Sequence, residues 1–443
     1  MRATGPSPRA HAPSVILLAV AGLASACGSR SGLLDTDAYV DRPPEQGGGG
    51  SGASGGAGGT GGGLVRSDCA LERAVPEVGI AGENVAQVQP AMTFTDPNQR
   101  QVTVAMGWRA GMGPMSPQEL RHTSFAPWGS WPSGPVGPVF LADFDGGRAF
   151  AIAASGGIEG NFSLAHNGPP GMGSTARVQP ELTPGSGTTG EVIDLFEPGR
   201  PAAFATVSGV GLITQVQRQG MGQVLRHTVM TYSPGGASIV DQFILGCGGV
   251  GDGGALPAST ERLPGDEVPG FMVMFGSARL EDCGGPLGPP TELYAVRLPE
   301  EAQSQRDFDG VVVTGVRHVR LGGESIYAAT TAAGDVHVGR LGPQGFGASF
   351  TLPGGQVDPA GGVDVAVFEG GRVAVAYRSL NDGTVAVSVV DPTLSEVEST
   401  YRTGEGQRPE LLASPFGDAL LLAHQSEAQA RPRVVLSRLT CAP

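Results

Sequence analysis

A short apolar segment recurs along most of this 443-residue chain, and it constrains the fold more than any other feature. The copies are rich in Val, Ile, Phe and Ala, and Gly, Pro, Asn and Asp bound them. Such segments are typical of β-strands, and those that are apolar throughout indicate strands buried on both faces. Long runs with helical periodicity are absent, and frequent Gly and Pro would interrupt helices. The copies occupy residues 102–107, 149–154, 202–207, 271–276, 325–330, 373–377 and 419–423.

The spacing of the copies narrows the choice of architecture. Successive copies start 46 to 54 residues apart, except for one interval of 69 residues between 202 and 271. A period of about 40–50 residues with four short strands per unit is typical of a β-propeller. We therefore predict an all-β fold, a β-propeller of seven blades with four antiparallel strands each. The long interval leaves room for a divergent blade or a long loop, and a pair of β-sandwiches is the alternative architecture.

Two short motifs that each occur twice support an internal repeat. Gly-Met-Gly at 111–113 precedes Leu-Arg-His-Thr at 120–123, and the same two motifs recur at 220–222 and 225–228.

The N-terminus has the features of a secretory signal at residues 1–26. Arg2 and Arg9 precede an apolar run that is too short to span a bilayer and that ends in small residues. Cys27 follows directly, and this arrangement resembles the lipid-modified cysteine of bacterial lipoproteins. The resemblance implies an exported protein that its N-terminal lipid holds to a membrane, since several acyl chains anchor stably. Ordinary secretory cleavage after Ala26 is the alternative, because Leu23 lies four rather than three residues before the cysteine.

Residues 27–68 lack the composition of a folded domain. Residues 47–63 are nearly all Gly, Ser and Ala, so few apolar side chains offset the entropy cost of ordering. We expect a lipidated cysteine followed by a disordered tether with a root-mean-square reach of roughly 35 Å. Residues 69–443 then form the propeller domain.

The cysteine count supports this division. The chain has five cysteines, so lipid on Cys27 leaves an even number for disulfides in an exported protein. Four cysteines allow three pairings. Position favours Cys69 with Cys441, where the two ends of a ring would meet, and Cys247 with Cys283 across a loop rich in Gly and Pro.

Net charge excludes one class of partner. The formal charge is −14, and all 28 basic residues are arginine. Such an acidic chain repels phosphate backbones, so we expect no nucleic-acid partner.

One segment resembles the calcium-binding repeats of integrin-type and VCBS propellers. Asp143 and Asp145 occupy the first two ligand positions in the segment 141–153. Calcium requires six to eight oxygen ligands, and the following positions hold Gly and Ala. We therefore expect ordinary turn residues and no cofactor, with Asp143 and Asp145 as the only metal candidates.

Aromatic and Arg-His residues complete the candidate sites. Trp128 and Trp131 lie in a predicted loop and are candidates for binding a glycan or a Pro-rich peptide, whereas Trp108 lies on a predicted strand and is assigned to packing. The pairs 121–122, 226–227 and 317–318 each read Arg-His, and we interpret them as solvated residues on outer strands rather than as an anion site.

The sequence alone favours a binding module over an enzyme. It contains no recognisable catalytic motif, and a rigid propeller head can display loops to a protein or glycan. The signal resembles those of cell-surface lipoproteins of high-GC Gram-negative bacteria, which implies the cell envelope; Gly28 after the lipid cysteine favours the outer membrane. We expect a monomer. The alternative is a propeller-type hydrolase or lyase with its active site in the central funnel.

Overall fold

The computed structural model describes residues 69–73, 85–94, 102–110, 118–128, 139–143, 151–154, 161–167, 175–182, 193–198, 200–207, 210–219, 222–233, 236–249, 256–263, 270–280, 283, 287–298, 302–353, 357–414, 419–426 and 433–441. The predicted signal, Cys27 and the predicted tether lie outside these residues.

Among the described residues, every regular element is a β-strand except one 3₁₀ turn at Glu369–Gly371. The prediction of an all-β fold is confirmed. Within this part of the chain, no helix has the length and apolar character needed to cross a membrane.

The strands group into sheets whose neighbouring strands are all antiparallel. Sheet 1 contains β2 (Val85–Phe94), β3 (Val102–Ala110), β4 (Gln118–Phe125) and β5 (Val139–Asp143). Sheet 2 contains β6 (Ala151–Ala154), β7 (Phe162–Asn167), β8 (Thr175–Leu182) and β9 (Ile193–Pro198). Sheet 3 contains β10 (Arg200–Val207), β11 (Val210–Gln219), β12 (Gly222–Ser233), β13 (Gly236–Gly248) and the short β16 (Arg279–Leu280).

The second half of the chain builds three further sheets. Sheet 4 contains β14 (Ala258–Leu263), β15 (Gly270–Ser277), β17 (Glu292–Leu298) and β18 (Ala302–Asp307). Sheet 5 contains β19 (Val313–Leu321), β20 (Glu324–Thr331), β21 (Val336–Gly342) and β22 (Gly345–Thr351). The seven-stranded terminal sheet contains β23 (Val363–Phe368), β24 (Arg372–Arg378), β25 (Thr384–Val390), β26 (Val397–Ala413), β27 (Ala419–Ser426), β28 (Arg433–Cys441) and β1 (Cys69–Arg73).

The first strands of successive sheets contact one another in a closed circle. β2 contacts β6, β6 contacts β10, and the series continues through β14, β19, β23 and β26 back to β2. These strands therefore surround a common axis, and the remaining strands of each sheet extend outward from it. Successive antiparallel sheets around one axis are the architecture of a β-propeller.

The two ends of the described chain close the circle. The 17 residues of β26 pair with β25 through their first half and with β27 through their second half, so one strand links two parts of the terminal sheet. β1 then pairs with β28 in a register that places Cys69 opposite Cys441. The expectation that the first and last strands meet is confirmed.

Apolar side chains fill the seams where sheets face each other. Leu120 of sheet 1 packs with Phe162 and Leu164 of sheet 2, and all three side chains are fully buried. Removing each such side chain from water contributes about 1.5–3 kcal/mol. Equivalent clusters lie in the seams between the other neighbouring sheets and between the two parts of the terminal sheet.

The strand positions explain the irregular spacing of the sequence repeat. Five copies lie on the second strand of their group, namely β3, β15, β20, β24 and β27, whereas the copies at 149–154 and 202–207 lie on the first strands β6 and β10. The 69-residue interval therefore includes a shift from a first strand to a second strand. No divergent sheet lies within it among the described residues.

Candidate functional site

Ionisable side chains from consecutive first strands meet at the axis of the ring. Arg317 lies on β19, Asp364 on β23 and Glu410 on the second half of β26. The Arg317 Nε lies 3.9 Å from Asp364 Oδ1, and its Nη2 lies 3.7 Å from Glu410 Oε1. Arg317 also donates a hydrogen bond to the carbonyl oxygen of Ala258 on β14, at 3.3 Å. One arginine thus contacts three other first strands, and we call Arg317, Asp364 and Glu410 the axial cluster.

The backbone holds the Asp364 carboxylate in place. Asp364 Oδ1 accepts the N–H of Val365 at 2.9 Å, and Oδ2 accepts the N–H of Leu411 at 2.6 Å. The second bond crosses from β23 to β26. It satisfies an amide of β26 that has no strand partner on this side, which is why a carboxylate is tolerated in an otherwise apolar strand.

Burial changes the ionisation of both carboxyl groups. Burial raises the pKa of Asp364 to about 6, although the Arg317 charge and the two N–H donors act in the opposite direction. Burial also raises the pKa of Glu410 to about 8, and the charge of Asp364 adds to this rise while Arg317 opposes it. Near neutral pH the pair therefore holds a proton beside a permanently charged guanidinium.

A third carboxyl group, that of Glu261, links the first strands β14 and β19. Glu261 on β14 accepts the N–H of Arg320 on β19 at 2.8 Å, and Ser259 accepts the N–H of His318 at 3.2 Å. The second oxygen of Glu261 lies 3.8 Å from His318 Nε2. Burial raises the pKa of Glu261 to about 7, against the effect of the Arg320 N–H and charge.

The axial cluster combines a proton-holding carboxyl group, a carboxylate and a guanidinium. Such a set can exchange a proton and can bind hydroxyl or amide groups. Arg317 and Glu410 have side-chain exposures of 36% and 22%, so a solute that enters the axis can reach them. The described residues contain no group of three or more His, Cys, Asp or Glu that could hold a metal ion.

The interpretation of the Arg-His pairs as solvated is wrong for their histidines. His122 lies on β4, His227 on β12 and His318 on β19, and all three imidazoles are buried. They fill sheet seams as aromatic rings do. His122 lies 5.0 Å from Phe162 of sheet 2, and His227 lies 6.2 Å from Phe275 of sheet 4.

Burial keeps these imidazoles neutral. It lowers the pKa of His122 to about 4 and the pKa of His227 to about 3. Burial and the neighbouring Arg317 charge lower the pKa of His318 to about 3, although an interaction with the Met272 backbone opposes this. The three pairs do not converge on one site, because His122 and His227 lie on third strands and His318 lies on a first strand.

The calcium candidates remain a prediction. Asp143 is the last residue of β5, and Asp145 lies outside the described residues. A related tetrapeptide is visible at 307–310, where Asp309 and Gly310 adopt φ values of 54° and 78° and the Val311 N–H bonds the Phe308 carbonyl. That segment is a turn closed by this hydrogen bond.

Trp128 contributes to packing, and its role in binding a ligand stays a prediction. It is half-buried and packs against the cluster that joins sheet 1 to the terminal sheet, beside Phe125 and Leu421. The neighbouring Pro127 carbonyl accepts a hydrogen bond from Arg438 of β28, at 2.9 Å. Trp131 lies outside the described residues, and Trp108 lies on β3.

The disulfide prediction is confirmed for Cys247 and Cys283, whose Cα atoms are 5.7 Å apart. Cys247 lies in β13 and pairs with Arg279 of β16. Cys69 is also in a disulfide, and its register partner in the β1–β28 ladder is Cys441.

Sequence reasoning missed the axial cluster. Asp364 and Glu410 are 46 positions apart, and nothing local indicates that they meet. One signal was present, because Asp364 interrupts the apolar run Val363–Phe368. An acidic residue inside a buried strand requires a polar partner, so Asp364 could have been identified from the sequence as a candidate site residue.

No described protein family matches the chain, and no curated protein matches it. Solved structures do match. A crystal structure of BBS1N in complex with ARL6DN has 14% identity and a TM-score of 0.44, covering 85% of this chain and 98% of that chain.

Two further solved structures match over similar lengths. The Dos1 propeller has 9% identity and a TM-score of 0.45, covering 84% of this chain and 95% of that chain. Raptor from Chaetomium thermophilum has 13% identity and a TM-score of 0.45, covering 84% of this chain but 29% of that chain. At this level of similarity the comparisons identify no ligand or activity for this chain.

Proposed function

We propose that this chain is an exported, lipid-anchored β-propeller of seven blades that acts as a binding or scaffold module in the cell envelope. The blade count is supported by packing, because the described residues contain seven apolar clusters, six in seams between neighbouring sheets and one between the two parts of the terminal sheet. In this count β26 contributes its first half to the sixth blade and its second half to the seventh. Residues 69–443 form this single domain.

One observation carries the choice of a binding module over an enzyme. The polar groups at the axis link first strands to one another. Asp364 accepts an amide of β26, Glu261 accepts an amide of β19, and Arg317 contacts three other first strands. Groups that hold the ring together stay in fixed positions. Recognition is then left to the loops at the two ends of the ring, as is usual for rigid scaffolds.

The proposed attachment suits this role. Lipid on Cys27 would hold the protein at a membrane, with the outer membrane as its site, and the segment 28–68 would place the head roughly 35 Å away on average. The ligand is a protein or a glycan, and the protein acts as a monomer without a cofactor. A Cys69–Cys441 disulfide would close the ring covalently, and peptide mapping without reduction would detect the linked pair.

A binding assay tests the proposal. The full chain, purified in detergent, is immobilised and exposed to glycan and peptide libraries. The molecular mass of each retained compound is measured by mass spectrometry before and after contact with the protein. We expect saturable retention of compounds whose mass is unchanged. Retention should be the same for Glu410→Gln, because the axial cluster is not the binding surface.

A propeller-type hydrolase or lyase is the second candidate, and one observation favours it. Asp364 and Glu410 both approach Arg317 at the axis, and the high pKa of Glu410 gives the pair a proton to donate near neutral pH. If the protein is a hydrolase or lyase, the same assay should yield compounds whose molecular mass has changed. Glu410→Gln would abolish the alteration, and that result would replace the binding-module proposal.

A further inference from the structure

The axial cluster has a charge balance that depends on one proton. Arg317 carries one positive charge at all relevant pH values, and the two carboxyl groups carry none, one or two negative charges. With both protonated the cluster has a net charge of +1, with one proton it is neutral, and with none it is −1. Because Asp364 is 11% exposed and Glu410 is 22% exposed, water compensates an imbalance poorly.

We propose that Arg317, Asp364 and Glu410 form a proton-dependent clasp that holds β23 against the second half of β26 while the two carboxyl groups retain one proton, and that loosens when the proton is lost. The bond that the clasp controls is the one from the Leu411 N–H to Asp364 Oδ2. This bond crosses the seam between the two parts of the terminal sheet. The clasp does not depend on which ligand the protein binds.

The geometry explains why losing the proton weakens this bond. Asp364 lies between the Leu411 amide and Arg317, and Glu410 precedes Leu411 in the chain. A second negative charge on Glu410 would then be placed near Asp364, and a single guanidinium at 3.7–3.9 Å would have to balance both. Separating the strands and hydrating Glu410 relieves the repulsion. Burial is the main cause of the raised pKa of Glu410, and the charge of Asp364 adds to it.

Several other ionisable groups on the packed strands have partners away from the cluster. On β24, Arg372 pairs with Glu398 and Arg378 pairs with Asp358. On β20, Glu324 pairs with Arg340, and on β19 the ring of His318 faces Glu261. On β27, His424 lies beside Gly406. The charged groups that act on Glu410 are Arg317 and Asp364.

Amide hydrogen exchange measures the clasp directly. In the full chain, exchange in the peptide that contains Leu411 is compared at pH 7 and pH 9 after correction for the intrinsic rate. If Glu410 has a pKa of about 8 in the closed clasp and about 4.5 in the open one, protection falls about tenfold over this interval. Unchanged protection would overturn the proposal.

Two variants distinguish the effect of the Glu410 proton from a general loss of amide protection at high pH. Glu410→Gln has no proton to lose, so protection should fall less than about threefold over the same interval. Glu405→Gln makes the same change on an exposed residue of the same strand and should behave as the unmodified protein. An identical fall in all three proteins would contradict the clasp.

A spectroscopic measurement gives an independent test. Infrared difference spectra between pH 7 and pH 9 should show the loss of a protonated carboxyl band that is missing in Glu410→Gln, whereas any loss from Glu261 appears in both proteins. If no such band disappears, no carboxyl proton is released in this range, and the proposal fails.

Discussion

At the scale of single residues, close packing between neighbouring strands explains why glycine occupies buried strand positions. Gly339 on β21 lies opposite Tyr327 on β20, and a Cβ there would lie 2.5 Å from the Tyr327 hydroxyl oxygen. Tyr327 is fully buried, and its ring lies 5.3 Å from that of Phe346. The missing side chain at position 339 thus provides the space for a large aromatic ring.

This contact predicts a marked cost for one added methyl group. Gly339→Ala should lower the free energy of unfolding by about 1–3 kcal/mol, because the buried ring has to move against a packed seam. Urea denaturation followed by tryptophan fluorescence measures the change.

A matched glycine provides the control for this substitution. Gly347 lies on the neighbouring strand β22, and a Cβ there would meet only the Arg340 carbonyl at 3.6 Å. Gly347→Ala should therefore change stability by less than about 0.5 kcal/mol. Equal effects of the two substitutions would contradict the packing argument.

The buried histidines show the limit of residue-level prediction. His122 and His227 occupy third strands, as the shared Gly-Met-Gly and Leu-Arg-His-Thr motifs suggest for related positions. The sequence indicates that the two segments are alike, but not which face of each strand is covered. That depends on Phe162 and Phe275, which belong to the next sheet and lie far along the chain.

At the scale of elements, the Cys247–Cys283 disulfide holds the added strand of sheet 3. The bond spans 36 positions, and β16 pairs with β13 only through Leu280 and Arg279. So short a strand has little pairing energy of its own. The loop-entropy model gives the cross-link a stabilising contribution of about 3–4 kcal/mol.

Removing this bond tests the estimate. A variant with Cys247→Ala and Cys283→Ala should unfold at a lower urea concentration, and amides 278–280 should lose protection before those of β12. Reduction of the unmodified protein serves as a parallel condition that leaves core volume unchanged; it also breaks the Cys69 disulfide, so only the protection of β16 is compared. If β16 keeps full protection in both cases, the strand does not depend on the cross-link.

The elements were predictable from the sequence to different degrees. Apolar runs bounded by Gly, Pro and Asp identified second strands such as β20 and β24, because these are buried on both faces. Outer strands such as β18 (Ala302–Asp307) are polar and carry no such pattern. The extra strand β16 and the division of β26 between two sheets depend on contacts with distant segments, so local sequence could not indicate them.

At the scale of the whole molecule, the proposed attachment rests on Cys27. The chain expressed in a Gram-negative bacterium and labelled with an alkyne fatty acid should carry the label and sediment with membranes. Cys27→Ser should lose the label, because no thiol remains at the cleavage site. Cys69→Ser is the control and should keep the label, because residue 69 lies after the glycine-rich segment and far from the cleavage site. A label that persists in Cys27→Ser would exclude lipidation at this residue.

Buried ionisable groups in several seams predict how stability depends on pH. Burial raises the pKa values of Glu261, Asp364 and Glu410 to about 7, 6 and 8. The folded state therefore binds these protons more tightly than the unfolded state. Their contribution is complete below the unfolded values of 4.5 and 3.8 and is lost as pH rises to about 8.

The buried histidines act in the opposite direction. Burial lowers the pKa values of His122, His227 and His318 from 6.5 to about 4, 3 and 3. The unfolded state binds these protons more tightly, so stability present above pH 6.5 is lost as pH falls toward 3. Between about pH 4.5 and 6 three carboxyl protons offset three imidazole protons, and the two effects nearly cancel.

The free energy of unfolding should therefore have a broad maximum between about pH 5 and 6.5 and fall on both sides. Urea denaturation across pH 4–9 measures the curve. Glu261→Gln should reduce the fall above pH 6.5 by about 0.5–1 kcal/mol, because the amide keeps the oxygen that accepts the Arg320 N–H but has no proton to lose. Glu405→Gln should leave the curve unchanged. Stability that increases steadily from pH 6.5 to 8 would show that the buried carboxyl groups are ionised throughout, and the charge balance inferred for the axis would then be wrong.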